Sequence, residues 1–290
     1  MALTPVALPR VLCLGISDMA EKNFTQAMQP QKSRIIVHGA LLRRLSPVVT
    51  IMAMLLVWHG ITEWQLVSRI LIPPPAEVLD SLVKALADGT LAKHTGTTLG
   101  EMIFGLLFGV SIGLAIGYAI AKAPLLEYIL SPIIVAFQST PIVAYAPLLI
   151  IIFGTGPSSK IVTTAVIVFF PSLVNTIVGI RGVSPRLRDL MRSLNAGRWQ
   201  IFRKLELPSA LPVILAGLKT SATLAVIGAV VGEFVGSGSG LGVLVITARS
   251  QYDTPLVYVT VLTMTAIALS LYGLVALVEW RLLHWQRRTA

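Results

Sequence analysis

The side chains in this chain that can act as acids, bases or metal ligands are few, and their spacing argues against a catalytic centre. His38, His59, His94 and His284 fall in four separate regions, without the close spacing that a metal-binding or catalytic pair requires. Cys13 is single, so it offers neither a disulfide framework nor a thiolate cluster. A phosphate-binding loop is also missing: GLKT at 217–220 lacks the preceding glycine turn, and GSGSGLG at 236–242 carries no lysine. Energy for any work this protein does is expected to be bound elsewhere.

Positive charge, by contrast, is concentrated. Arg181, Arg186, Arg188, Arg192, Arg198, Arg203 and Lys204 crowd one short stretch of a chain that is 55% hydrophobic and 12% charged, with a net charge of +10. Nucleic acid is the usual partner of so basic a chain, but no nucleic-acid-binding motif surrounds the stretch, and nucleic-acid binding is not expected. A mean hydropathy of +0.81 over 290 residues leaves too little polar surface for a water-facing globule. The lipid bilayer is the expected environment.

Crossing about 30 Å of hydrocarbon takes about 20 apolar helical residues, because lipid offers no partner to exposed backbone groups and a helix satisfies its own. Six segments qualify, near 47–66, 98–121, 128–153, 160–180, 211–234 and 257–280. The fold class predicted is therefore an all-α membrane protein with six transmembrane helices. The domain plan is a tail at 1–45, a transmembrane domain at 46–283 with a loop at 181–210, and a short tail at 284–290. RVLCLGI is too short to span and lacks the flanks of a cleaved signal, so residues 1–33 are read as a mobile cytoplasmic extension.

Basic residues stay on the cytoplasmic side of a span. Six lie before the first span (Arg10, Lys22, Lys32, Arg34, Arg43, Arg44), seven in the 181–210 loop and three at the end (Arg281, Arg287, Arg288). With six spans all three regions share one side, which puts both termini in the cytoplasm. The opposite loops hold Arg69, Lys84, Lys93, Lys160 and Arg249.

Within the spans, Pro132, Pro141 and Pro147 predict a bent or broken third helix, since each removes a backbone donor. Gln138, Ser139 and Thr140 precede Pro141. They are candidates to line a pathway, or else Ser and Thr merely satisfy the carbonyls that the proline releases. Gly105, Gly109, Gly113 and Gly117 recur every fourth residue, as do Gly228, Gly232 and Gly236, which puts each set on one helix face. Such a stripe admits another backbone, and helix packing is its expected role. Glu101 and Glu233 lie near span ends, where a carboxylate reaches the interface at low cost; the alternative is a functional group within the membrane.

The basic stretch itself reads as two short amphipathic helices. Leu187, Leu190, Met191 and Leu194 recur at helical spacing among Arg188, Asp189 and Arg192. Asn195-Ala196-Gly197 then breaks the helix, because Asn and Gly tolerate the left-handed conformation. A second segment, with Trp199, Phe202 and Leu205, is expected to stop at Pro208. This is a docking surface for a protein, or a helix lying on anionic lipid.

DLMRSLNAGRWQIFRKLELP resembles the cytoplasmic loop of binding-protein-dependent ABC importer permeases, a pattern of Glu-Ala-Ala, three residues, Gly, nine residues and Ile-x-Leu-Pro. Asp189 matches the acidic position, Leu190 and Met191 the alanines, Asn195 the glycine, and Leu205, Leu207 and Pro208 the final group. The alanine pair is absent, and asparagine replaces glycine. LIPPPAEVLDSL, STPIVAYAPLLIIIFGTGPSSKIV, FFPSLVNTIVGIR and GEFVGSGSGLGVLV are similar to the nitrate/sulfonate/taurine branch, which includes vitamin-precursor permeases.

The resemblance implies a type I importer permease fold in a bacterial plasma membrane, with a path for a small solute brought by an extracytoplasmic binding protein. It also implies a second permease copy as a homodimer partner, and two ATP-binding cassette subunits that use ATP and Mg while this chain binds no cofactor and is not an enzyme. The solute, whether an anion such as nitrate or a sulfonate or a vitamin such as riboflavin, stays open. Arg188, Asp189, Arg192, Leu194, Asn195 and Ala196 become the candidates for coupling to the ATPase. A self-powered carrier or channel is the rival class, but coupling-ion sites and inverted repeats are not found. A membrane enzyme would need convergent acid, base or metal ligands, which the scattered histidines do not supply.

Overall fold

The computed structural model describes residues 39–236 and 238–284, and among these every regular element is helical. The expectations for residues 1–33 and for the tail after His284 lie outside the described residues. Two units are distinguished, one ending at Val57 and one beginning at Trp58. The first contributes most of α1 (Gly39–Glu63), which starts several residues before the expected span.

In the second unit, α2 (Pro75–Ala87) is followed by α3 (Thr90–Lys122), α4 (Pro124–Ser139), α5 (Ala146–Phe153) and α6 (Pro157–Arg181). Next come α7 (Pro185–Ser193), α8 (Arg198–Ile201), α9 (Leu207–Val235), α10 (Leu241–Ser250) and α11 (Thr254–Leu282). Proline opens many of these helices for a local reason: its missing N–H is one that the first turn leaves unpaired anyway, and its φ is already helical. Pro75, Pro124, Pro157 and Pro185 stand at helix starts, and Pro255 follows the first residue of α11. Asp253 adds a side-chain cap to α11, accepting from Leu256 N–H at 3.1 Å.

Among the described residues, four helices are long and apolar enough to cross a membrane: α3, α6, the continuous run Arg198–Val235, and α11. At 33 residues, α3 extends for about 50 Å, beyond the hydrocarbon layer and beyond the expected 98–121. The expected third span is divided, with α4 ending at Ser139, a 3-10 turn at Ile142–Ala144 and α5 after it. Its break falls at Pro141. Pro132 sits inside α4 without interrupting it, and Pro147 lies in the first turn of α5.

Pro208 does not stop the second loop segment either. A π-helical turn at Phe202–Glu206 joins α8 to α9, and Leu207 N–H reaches back to Phe202 O. That wider turn accommodates a residue with no N–H, so the helix runs on into the membrane.

The centre of the bundle is α6, with α3 against one side and α9 against the other. Glycine makes both contacts close. A Cβ added at Gly109 would stand 2.9 Å from Ala165 Cα, at Gly113 2.8 Å from Phe169 O, and at Gly117 2.7 Å from Leu173 O. Gly105 faces Ile161 O in the same way, at 2.9 Å. From the other side, a Cβ at Gly228 would lie 2.7 Å from Thr164 Cα and one at Gly232 2.9 Å from Lys160 Cα. Helices meeting backbone to backbone gain dispersion contacts along their length, which lipid cannot replace.

Candidate functional site

The α7 segment carries an apolar row that the protein leaves uncovered. Leu187, Leu190 and Leu194 share one face, and Leu194 is 69% exposed. Asp189 and Arg192 flank the row in solvent and pair with each other at 3.3 Å. A surface pair of this kind contributes little stability.

The turn after α7 is built by hydrogen bonds of a known helix-ending pattern. Asn195 adopts φ +54°, its N–H reaches Arg192 O at 2.9 Å, and Ala196 N–H reaches Met191 O at 3.0 Å. These are the two bonds of a Schellman ending, in which glycine is the usual left-handed residue. Asparagine therefore performs the glycine's backbone role here. Ala196 is half-buried in this turn, and Gly197 N–H then donates to Gln200 Oε1 at 3.0 Å, starting α8. Trp199 projects from α8 at 67% exposure.

Arg188 departs from the other loop candidates. It turns inward, donating from Nη2 to Ile180 O at 2.6 Å, with Nε 3.3 Å from Glu206 Oε1. Glu206 was not singled out from the sequence, yet it is 1% exposed and gathers three partners from two elements, α3 and α7. Lys122 Nζ donates to its Oε1, and Tyr118 Oη to its Oε2 at 3.4 Å. A signal was present: apart from Asp189, Glu206 is the single acidic residue in the basic loop.

At the broken helix, Ser139 Oγ donates to Val135 O at 2.8 Å and Thr140 Oγ1 to Ala136 O at 3.1 Å, both onto carbonyls of α4. Gln138 is exposed. Nearby lies an apolar groove of about 870 Å³ between α3, α4, α5 and α6, lined by Phe108, Ile112, Phe137, Tyr145 and Phe169 among others. Gln138, Ser139 and Thr140 are not part of its wall.

Glu101 and Glu233 do not reach an interface. Both are buried in the bundle, Glu233 completely, and Lys160, counted from sequence among the loop cations, is 2% exposed beside Glu101. Lys160 Nζ lies 3.1 Å from Glu101 Oε1 and donates to Ser239 O at 3.0 Å. Glu233 accepts from Thr98 Oγ1 at 2.6 Å and from Gly242 N–H. Thr98 Oγ1 in turn accepts from Leu241 N–H at 2.8 Å, and Gly240 N–H donates to His94 Nδ1 at 3.1 Å. The GSGSGLG stretch is thereby held onto α3, α6 and α9 by buried polar groups. Span-end position pointed to the interface because hydropathy does not record that close helix packing brings an ammonium to Glu101 and a hydroxyl to Glu233.

Residues 96–284 match the family described as binding-protein-dependent transport system inner membrane component. The riboflavin transport system permease protein of Chloroflexus aurantiacus is 44% identical over 238 residues, covering 82% of this chain and 89% of that protein. The taurine transport system permease protein of Escherichia coli is 32% identical over 242 residues, 81% of this chain and 88% of that one. Among solved structures, a chain of the inward-facing MetNI methionine ABC transporter superposes with a TM-score of 0.56 at 22% identity, covering 64% of this chain and 93% of its own.

Proposed function

Because the chain belongs to the family of binding-protein-dependent transport system inner membrane components, and so is a permease subunit of an ABC transporter, we propose that two copies of it enclose a solute path driven by two ATPase subunits docked on α7. ATP and Mg act in those subunits, and this chain carries no catalytic residue. An extracytoplasmic binding protein delivers the solute. The protein is a multi-pass membrane protein; six crossings, with α1 and the broken α4–α5 unit supplying two, would put both termini on one side, and the basic residues of the 181–210 loop support the cytoplasm as that side.

The observation that carries this reading is the uncovered row Leu187, Leu190 and Leu194, ending in the Asn195 turn. An apolar row left open beside charged neighbours is suited to a protein groove. Asp189, Arg192, Leu194, Asn195 and Ala196 keep the coupling role proposed from sequence, whereas Arg188 supports α7 from behind. Gln138 is the polar side chain best placed for the path, since the Ser139 and Thr140 hydroxyls are engaged by carbonyls of α4.

Leu194→Asp puts a charge into a desolvated contact, at a cost on the order of several kcal/mol when unpaired. ATPase pull-down and ATP hydrolysis in neutral-lipid nanodiscs should both fail for Leu194→Asp and persist for Arg198→Gln with Arg203→Gln. A lipid-bound helix gives the reverse pattern, with dependence on anionic lipid. For the solute, the 44% identical relative makes riboflavin the first candidate and the 32% identical one makes taurine the second. Uptake of the two radiolabelled compounds by cells carrying the whole system separates them.

A further inference from the structure

The segment from α7 to the π-helical turn is joined by the chain to α6 and α9, but its link to α3 is non-covalent. Among the described residues, every ion pair from this segment to α3 passes through Glu206. One carboxylate, 1% exposed, holds Lys122 of α3 and Arg188 of α7 together, and Arg188 is also bonded to Ile180 O at the end of α6. Burial makes this joint stiff, because a carboxylate that loses a partner there has no water to replace it. An aromatic row follows the same route. The Trp199 and Phe202 rings lie 5.3 Å apart, and Phe202 meets Tyr118 of α3 edge-on at 5.1 Å.

Both routes converge on the last turn of α3. A single extended residue, Ala123, separates that turn from α4, which leads into the break at Pro141. On the far side of the corner, Glu127 in the first turn of α4 pairs with Arg181, the last residue of α6. The α3–α4 corner is thus bracketed by two ion pairs, one to the loop and one to α6.

We propose that Glu206 is the positioning residue through which movement of α7 reaches the α3–α4 corner and the broken segment beyond it. The proposal rests on the reading of α7 as the ATPase-docking helix. Without the Glu206 charge, Lys122 and Arg188 are left as neighbouring cations that repel, so α7 can be pushed while α4 stays behind.

The test uses the assembled complex in nanodiscs, on a Cys13→Ser background, with spin labels at Ser193→Cys on α7 or at Leu126→Cys on α4. Distances between the two permease copies are measured without nucleotide and after trapping with ATP, Mg and vanadate. In the otherwise unchanged protein both label pairs should shift. In Glu206→Gln the Ser193 shift, ATPase association and basal ATP hydrolysis should persist while the Leu126 shift is lost. Lys122→Gln, at a partly exposed position, should do the same and decides the matter if Glu206→Gln does not accumulate. A Leu126 shift of unchanged size in these variants overturns the proposal. Loss of ATPase association in them also overturns it, by making Glu206 a support for the docking face alone. If the ATPase does not associate with the unsubstituted permease, the docking reading fails first, and this inference goes with it.

Discussion

Asn195 makes the residue-scale argument clearest. Its left-handed conformation is adopted readily by glycine and tolerably by asparagine, whereas a β-branched residue there costs roughly 1–2 kcal/mol. Asn195→Gly should therefore leave ATPase affinity unchanged. Asn195→Val should weaken it by roughly 5–30-fold, the factor that 1–2 kcal/mol represents. Titration of the purified permease with its ATPase subunit measures both, and equal affinity for the two variants would remove the turn from the docking site. The turn was readable in the sequence because the residue and the helix it ends are neighbours. Arg188 was not, since only its pairing with Glu206, 18 positions on, reveals that it faces inward.

At the scale of elements, the four-residue glycine period gave a face, and the packing of α3 on α6 gives that face a partner. Leucine at Gly109 or Gly113 must displace backbone atoms of α6, because its Cβ alone would stand within 3 Å of Ala165 Cα or Phe169 O. Gly109→Leu and Gly113→Leu should therefore prevent stable insertion or dimer assembly. Phe108→Leu and Ile112→Leu, at exposed positions beside the stripe, should assemble normally. Size-exclusion chromatography in detergent distinguishes the two sets, and equal behaviour would refute the close-contact role. The other element-scale lesson is Pro208. Proline statistics favour a stop, but the π-helical turn before it carries the helix through, and turn geometry of that kind depends on what packs around Phe202 and Glu206.

For the whole molecule, the distribution of Lys and Arg sets the expected orientation, and cysteine accessibility tests it. On a Cys13→Ser background, Leu82→Cys and Gln251→Cys should react with an impermeant thiol reagent applied to intact cells. Ser193→Cys and Thr289→Cys should react only after the membrane is opened. Reaction of Ser193→Cys from outside would contradict six crossings with cytoplasmic termini, and would remove α7 from reach of any cytoplasmic ATPase. The buried trio Lys160, Glu101 and Glu233 belongs to this scale too. It ties three spans and the start of α10 together at the end of the bundle that this orientation puts outside.

The sequence by itself determined what depends on composition and on near neighbours: a helical membrane protein, a helix broken at Pro141, two glycine faces, and a loop with an apolar row ended by a left-handed asparagine. Hydropathy, periodicity and turn chemistry are all properties of short windows, so one chain displays them without its fold. The tertiary structure decided which charges are buried and with whom. Lys122 and Glu206 are 84 residues apart, and Thr98 and Glu233 are 135 apart. Whether such groups meet depends on the register at which helices pack, set here by the glycines that let α3 and α9 close on α6. A carboxylate near a span end looks interfacial until a neighbouring helix brings it an ammonium or a hydroxyl.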